Sequence, residues 1–391
     1  MKKKRWFIIL GSILFWYLFA GGCMCAGEDE KQADGVDRQN QEILNAYLEE
    51  LGLEEIQESL EELLPEITFD LKAAIQKLMK GEMPVTRETF LEIIRGGMTE
   101  ELQKQKKFVL QVLILAIAAS VFTNYIQVFQ REQIIQVTFY MVYMLLFLLL
   151  IHSFEELGNL AEDTMGGVLQ FMRLLIPVYL IAGSLAAGSV TATGFYGITL
   201  FFVTLVQSVM NYVILPGISL YVLFALLNYM EKEPLLTKMT DLMKWMLNWA
   251  MKTLLAIVIG IQAIQSILLP AIDSLKNTVW MKGTGAIPVL GNTLSAVTET
   301  VLGTTVLLKN ALGVGALLAI LLICLTPVIR LLLCVILYKA IGAVVQPISD
   351  ARFTESISKT GEGIELLLKS VSFTAVMFMI TLAMVTVSGR N

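Results

Sequence analysis

Histidine is nearly missing from this chain: 391 residues include one, His152. Cysteine is scarce too. Cys23 and Cys25 sit close together near the N-terminus, while Cys324 and Cys334 lie inside hydrophobic runs, where they act as small apolar residues. No disulfide framework or metal site follows from that spacing. There is no HExxH, GxSxG, Walker A loop or Rossmann fingerprint, so the familiar patterns for metal-assisted hydrolysis, acyl transfer, nucleotide turnover and dinucleotide redox chemistry are missing. No cofactor is expected, and the chain is not read as an enzyme. Charge is thin as well: 16% of residues are charged against 56% hydrophobic, with a mean hydropathy of +0.69, too apolar for a soluble chain of this length.

What charge there is falls unevenly. Residues 28–107 hold 20 Asp/Glu against 10 Lys/Arg, whereas 108–391 hold 14 against 15. The first stretch reads as a water-exposed acidic segment and the second as a membrane body. Ahead of both, "MKKKRWFIILGSILFWYLFAGGC" runs from cations through an apolar stretch to small residues, the order of a secretory signal. A signal peptide at 1–22 would leave Cys23 first; lipidation of Cys23 and an uncleaved anchor stay open. Each outcome sends residues 23–107 across the membrane as a small extracytoplasmic domain.

That domain is expected to be helical. Residues 41–64 place Ile43, Leu44, Tyr47, Leu48, Leu51, Ile56, Leu60, Leu63 and Leu64 near a 3.6-residue period, opposite glutamates, and stop at Pro65. A second helix is expected from Phe69 to Met79, ended by Gly81. A third follows Pro84, with Thr86 as N-cap, and ends at Gly96 and Gly97. Together they suggest a small antiparallel bundle that depends on partners or the membrane surface; its Glu-rich faces are either solvated or a docking surface.

The body, 108–391, has nine apolar stretches of membrane-crossing length: 108–129, 134–153, 168–187, 195–213, 214–230, 253–272, 306–325, 327–346 and 370–388. Seven to nine transmembrane helices are expected, because 195–230 and 306–346 divide in more than one way. Pro216-Gly217 marks either a kink or a hairpin. Residues 231–252, with four Lys, Trp245 and Trp249, fit a helix in the headgroup layer, and 347–369 reads as a polar helix interrupted at "SKTGEGIE". With the N-terminal segment exported, 231–252 falls on the cytoplasmic side, while 154–167 and 347–369 fall outside; Lys104, Lys106 and Lys107 then sit outside against the positive-inside rule. The fold class is all-α: a polytopic helical membrane protein with a signal sequence and a small acidic extracytoplasmic domain.

The apolar stretches hold no carboxylate, so a proton- or sodium-coupled transporter lacks its usual coupling group. Embedded Gln207, Asn211, Gln262, Gln265 and Asn310 fit hydrogen bonding between helices, and His152 an interfacial position. Arg330 is expected beside a hairpin at Thr326-Pro327. Arg173 and Lys309 lie within a few residues of their span ends and can snorkel. Lys339 is deeper; outward snorkelling and a wet, protein-lined cavity are both open. Small residues gather in 182–197 and 303–316, including Gly183, Gly188, Gly194, Gly313 and Gly315, and allow close helix approach. Both clusters follow an Ile-Pro-Val triplet, at 176–178 and 287–289, a faint internal repeat.

The stretches "RLLIPVYLIAGSLAAGSVTATGFYG" (173–197) and "IPVLGNTLSAVTETVLGTTVLLKNALGVGA" (287–316), with the order signal, acidic helical segment, multispanning body, resemble the stage III sporulation protein AE family. The resemblance implies a component of the channel complex between mother cell and forespore. It implies residence in the outer forespore membrane, with the exported segment facing the intermembrane space, and a role in late forespore development and gene expression. Implied partners are ring-forming and other membrane proteins of that complex, a cytoplasmic secretion-type ATPase, a forespore-made protein and the lipid bilayer. No nucleic-acid partner is expected, and homo-oligomerisation stays open. The residues alone leave three functions: a channel or export subunit, a self-sufficient secondary transporter or permease, and a structural anchor for ring-forming partners.

Overall fold

The computed structural model describes residues 52–65, 67–127, 132–187, 190–231, 235–281 and 291–387, all within one compact unit, Leu48–Asn391. The expected signal peptide at 1–22, Cys23, Cys25, residues 41–51, the triplet at 287–289 and Gly188 lie outside the described residues, as do the surroundings of Gly183 and Gly194. Every regular element among them is helical: α1 (Glu54–Leu63), α2 (Leu71–Met79), α3 (Arg87–Gln127), α4 (Glu132–Ala187), α5 (Val190–Val209), a π-helical turn (Met210–Ile214), α6 (Leu215–Asn228), α7 (Thr237–Met281), α8 (Gly291–Val345) and α9 (Ala351–Val387).

The two short helices end where the sequence indicates but begin later: α1 starts at Glu54, after a turn at Gly52 that interrupts the helix expected over 41–64, and α2 at Leu71 rather than Phe69. Gly52, at φ +58°, turns the chain into α1, and Pro65 follows its end. Asp70 caps α2 by accepting the Ala73 N–H at 2.9 Å, and Gly81, at φ +76°, ends it. Gln57 joins the pair: its side-chain amide donates to Phe69 O at 3.1 Å and accepts from Leu71 N at 3.0 Å. They do not form a free-standing bundle, however. Leu63 of α1 packs against Gly167 of α4, and Leu71 and Ile75 of α2 lie 3.4 and 3.6 Å from where a side chain on Gly315 of α8 would begin. The third helix does not stop at Gly96 and Gly97: α3 runs on to Gln127, so the expected 107/108 boundary falls inside it.

The nine apolar stretches fall on seven helices, α3 to α9. Residues 134–153 and 168–187 share α4, 306–325 and 327–346 share α8, and 195–230 runs from α5 through the π-helical turn into α6. The periodicity explains each fusion. Between the first two stretches, Phe154, Leu157, Ala161, Met165 and Val168 are buried at helical spacing while Glu155, Glu156, Glu162 and Asp163 point outward, so the expected loop at 154–167 is an ordinary amphipathic helix. Around Pro327, buried Ile320, Ile323, Cys324, Leu331, Cys334, Val335 and Tyr338 keep one stripe running, and packing outweighs the missing proline N–H. Pro216 lies in the first turn of α6, just after the π-helical turn, the usual way a helix absorbs such a residue. Residues 237–252 are likewise the start of α7 rather than a separate surface helix.

Five helical segments are long and apolar enough to cross a membrane: Gln136–Tyr179, Gly197–Asn228, Thr237–Gln265, Thr305–Val345 and Ala351–Met384. The last is the most enclosed, with 61% of its apolar window buried, and α9 packs on α4, α6, α7 and α8. Its expected break at "SKTGEGIE" is absent. Gly361 and Gly363 are contact points instead: a Cβ on Gly361 would come within 3.1 Å of Tyr338 Cβ, and one on Gly363 would run into Val222 and lie 3.1 Å from Phe154. Asp350 starts the helix, accepting the Arg352 N–H at 2.9 Å and its guanidinium at 3.2 Å.

Gly363→Ala is therefore expected to cost about 1–3 kcal/mol through overpacking. Gly303→Ala, on an exposed helical surface with nothing nearby, should be neutral or stabilising by up to ~1 kcal/mol. Thermal unfolding in detergent distinguishes them. The Asp350 carboxyl is raised by burial but more strongly lowered by its Arg352 bonds, and it ends below the usual carboxylate value. Its capping contribution is thus fully present above the unfolded-state value near ~3.9 and lost as pH falls through the lower folded value. Asp350→Ala should cost about 1 kcal/mol near neutral pH, and its difference from wild type should shrink on acidification to about pH 3.

A charged layer across the bundle as candidate functional site

Burying α9 obliges its polar side chains to find partners, and the densest set surrounds two carboxylates. Glu362 Oε2 lies 2.7 Å from Lys244 Nζ of α7 and 3.3 Å from Lys359 Nζ, and it accepts the Tyr221 hydroxyl of α6 at 2.8 Å. Of the flanking glycines, Gly363 lets α6 come close beside Tyr221, and Gly361 makes room for Tyr338 of α8. One turn on, Glu365 is bridged by two cations: Oε2 to Lys339 Nζ of α8 at 3.1 Å and Oε1 to Lys369 Nζ at 3.2 Å. Lys369 also donates to Asn248 Oδ1 of α7 at 3.4 Å.

The same layer reaches the remaining long helices. Tyr338, beside Lys339, donates to Ser153 Oγ of α4 at 2.9 Å and stacks on Phe108 of α3 at 5.1 Å. On α3, Glu100 pairs with Arg330 at 3.2 Å and with Lys104 at 2.6 Å, and Glu101 accepts from Cys334 at 3.3 Å and Gln105 at 2.8 Å. Arg330 is therefore not a hairpin residue but half of an α3 to α8 clasp. Because Lys244 and Glu362 are in direct contact, residues 237–252 and 351–369 lie at one level of the bundle, together with Glu100 to Phe108. The expectation that put 231–252 on one side of the membrane and 347–369 on the other does not survive. That expectation rested on splitting α8 into two spans, whereas α8 runs unbroken through Pro327.

Further along α9 the partners are uncharged. Thr374 donates to Gln207 Oε1 at 3.3 Å, Thr381 accepts from Gln262 at 3.2 Å, Thr386 accepts the Tyr179 hydroxyl at 3.2 Å, and nearby Thr199 donates to Gln265 at 2.7 Å. Gln207, Gln262 and Gln265 thus bond between helices, and Asn211 accepts from Gln207 at 3.1 Å. Asn310 is half-buried and Arg173 exposed. Lys309 does not snorkel: it is 2% exposed, with its ammonium 5.8 Å from the centre of the Tyr179 ring. Gly313 gives Thr386 room, and Gly315 seats α2. His152 is exposed and 3.4 Å from Glu156. A void of about 20 Å³ beside Tyr179, Thr199 and Thr381 has room for one water at most. Among the described residues no cluster of three or more His, Cys, Asp or Glu is placed to hold a metal ion.

Sequence reasoning reached Lys339 but missed its partner. Glu362 and Glu365 were hidden because the glycines beside Glu362 suggested a loop, and Tyr221 and Lys244 because they lie on α6 and α7, far from α9 in sequence. The spacing of Lys359, Glu362, Glu365 and Lys369 at three to four residues was the available signal.

Comparison with known proteins gives the arrangement a lineage. The family model for stage III sporulation protein AE matches residues 69–389, from the lead-in to α2 through the end of α9. The chain belongs to the stage III sporulation protein AE family. A stage III sporulation protein AE of Bacillus subtilis (strain 168) is similar to it, 23% identical over 399 residues covering 100% of this chain and 98% of the relative. No solved structure matches. Membership in the stage III sporulation protein AE family makes this a sporulation protein, and its five apolar helices make it a membrane protein.

The two carboxylates should differ under substitution. Glu362→Gln leaves Lys244 and Lys359 without their counter-charge in a half-buried site and is expected to cost about 2–4 kcal/mol. Lys339→Met leaves Glu365 paired with Lys369, and with Lys339 about half exposed the cost should stay below ~1 kcal/mol. Thermal unfolding of the purified chain, at matched membrane expression, measures both.

Proposed function

We propose that the chain is a membrane subunit of the channel or export assembly linking mother cell and forespore, sited in the outer forespore membrane and working with ring-forming proteins and a cytoplasmic secretion-type ATPase. The family match over 69–389 is the observation that carries the sporulation role. The subunit role is supported by the interior, where α9 spends its polar groups on holding the bundle together, from Glu362 to Thr386. A signal at 1–22 delivers residues 23–107 to the extracytoplasmic side, facing the intermembrane space. Since Glu100 to Lys107 belongs to the charged layer, that layer goes with it, and the helices of the body form the multispanning anchor.

Deleting the gene in the sporulating host should sharply reduce heat-resistant spores, with rescue by the wild-type chain only while the ATPase is active. Solute transport by the purified chain alone in proteoliposomes, abolished by a substitution within it, would overturn the subunit reading in favour of a permease. For sidedness, cysteines replacing Lys104 and Lys252 should react together with an impermeant reagent applied from outside. Reaction of one without the other would break the shared layer, and protection of both would reverse the orientation.

A further inference from the structure

We propose that Lys339 and Lys369, held by Glu365, form a headgroup site for an anionic phospholipid. The two ammonium groups take opposite oxygens of one carboxylate, at 3.1 and 3.2 Å, so Glu365 fixes them side by side. The carboxylate is the inner member, 20% exposed, and the cations are the outer ones, 53% and 42% exposed. An ammonium has three N–H donors. After the bonds to Glu365 and Asn248, Lys339 has two left and Lys369 one. Two cations on one carboxylate leave a positive surplus, and Glu362 does not cancel it because Lys244, Lys359 and Tyr221 already occupy that group. The surroundings therefore ask for one negative charge spread over two acceptor oxygens. A phosphodiester supplies that.

The flanks decide between a lipid and another anion. On the α8 side, Leu332, Ile336 and Val344 are exposed in the rows next to Lys339, an apolar wall at helical spacing. On the α7 side, Leu242, Trp245, Met246 and Trp249 are exposed, the two indoles stacked with centroids 6.4 Å apart, Trp245 one turn before Asn248 and Trp249 next to it. Indoles beside lysines at the end of an apolar helix mark the headgroup level of a bilayer. The charged layer has apolar helix on either side of it along α4, with 136–151 before and 168–179 after, so it borders the hydrocarbon whichever side is embedded. Acyl chains have exposed apolar walls to follow, and the phosphate meets the two lysines. The site does not depend on the sporulation role.

The test uses the full chain in neutral detergent, titrated with phosphatidylglycerol carrying brominated acyl chains, with brominated phosphatidylcholine and inorganic phosphate as separate arms. Readouts are quenching of Trp245 and Trp249 in a chain whose Trp6, Trp16 and Trp280 are replaced by Phe, and lipid retained in native mass spectrometry. Phosphatidylglycerol should quench and be retained, while the other two should not. At about 1 kcal/mol per lysine, Lys339→Gln with Lys369→Gln should weaken binding roughly 10- to 30-fold. Lys72→Gln, on distant α2, should change nothing. If the double variant does not fold, Lys339→Gln alone keeps Glu365 paired and should still weaken binding roughly five-fold. Equal binding of the two lipids, undiminished binding by the lysine variants, or retention of inorganic phosphate in place of lipid would each overturn the site.

Discussion

The bundle depends on one constraint: α9 is both the most enclosed of the long helices and one of the more polar. A helix placed among apolar neighbours must satisfy each hydroxyl, amide and carboxylate it carries, since an unpaired buried polar group costs about 1–3 kcal/mol. Along α9 these groups recur about every one to two turns: Ser356, Glu362, Glu365, Thr374, Thr381 and Thr386. Their partners come from five helices: α4 at both ends, and α6, α8, α5 and α7 between. The order of partners fixes the register of α4, α6, α7 and α8 against α9. Sliding any one by a residue would strand several groups together.

The constraint reaches into residues that carry no charge. Gly363 lets α6 come close enough for Tyr221 to reach Glu362, Gly361 admits Tyr338 of α8, and the cost of glycine in a helix, about 1 kcal/mol, is set against those contacts. Tyr143 follows the same pattern near the start of α9, with its hydroxyl 2.8 Å from Ser356 Oγ and its ring 5.8 Å from Phe353. Phe139, one turn away, stacks beneath Arg352, whose guanidinium lies 3.3 Å from the ring centre. Polar specificity and aromatic packing are thus interleaved at the end of the bundle where α9 begins.

The helical class was legible from periodicity, and the ends of α1 and α2 from Pro65 and Gly81; the turn at Gly52 inside the helix expected over 41–64, and Asp70 as the cap of α2, were not. The boundaries of the long helices were not. At 154–167 a cluster of carboxylates masked an intact amphipathic pattern, and at Pro327 a residue that usually ends helices is carried by the packing on either side. Glycine misled twice in the same way: at Gly96-Gly97 and at Gly361 and Gly363 it marks proximity to a neighbour or an open helical surface, and not a turn. The candidate site was half visible. A deep lysine asks for an anion, but Glu365 lies 26 positions away, and only the antiparallel packing of α8 on α9 brings the two together.

The length of α4 has a mechanical side. Its 56 residues make a strut of about 84 Å, nearly three times the ~30 Å hydrocarbon layer of a bilayer. Its bonds to α9 sit near both ends, Tyr143 to Ser356 and Tyr179 to Thr386, so the two helices splint each other. With about 54 Å of helix between the two bonds, any tilt of α4 has to carry α9 with it.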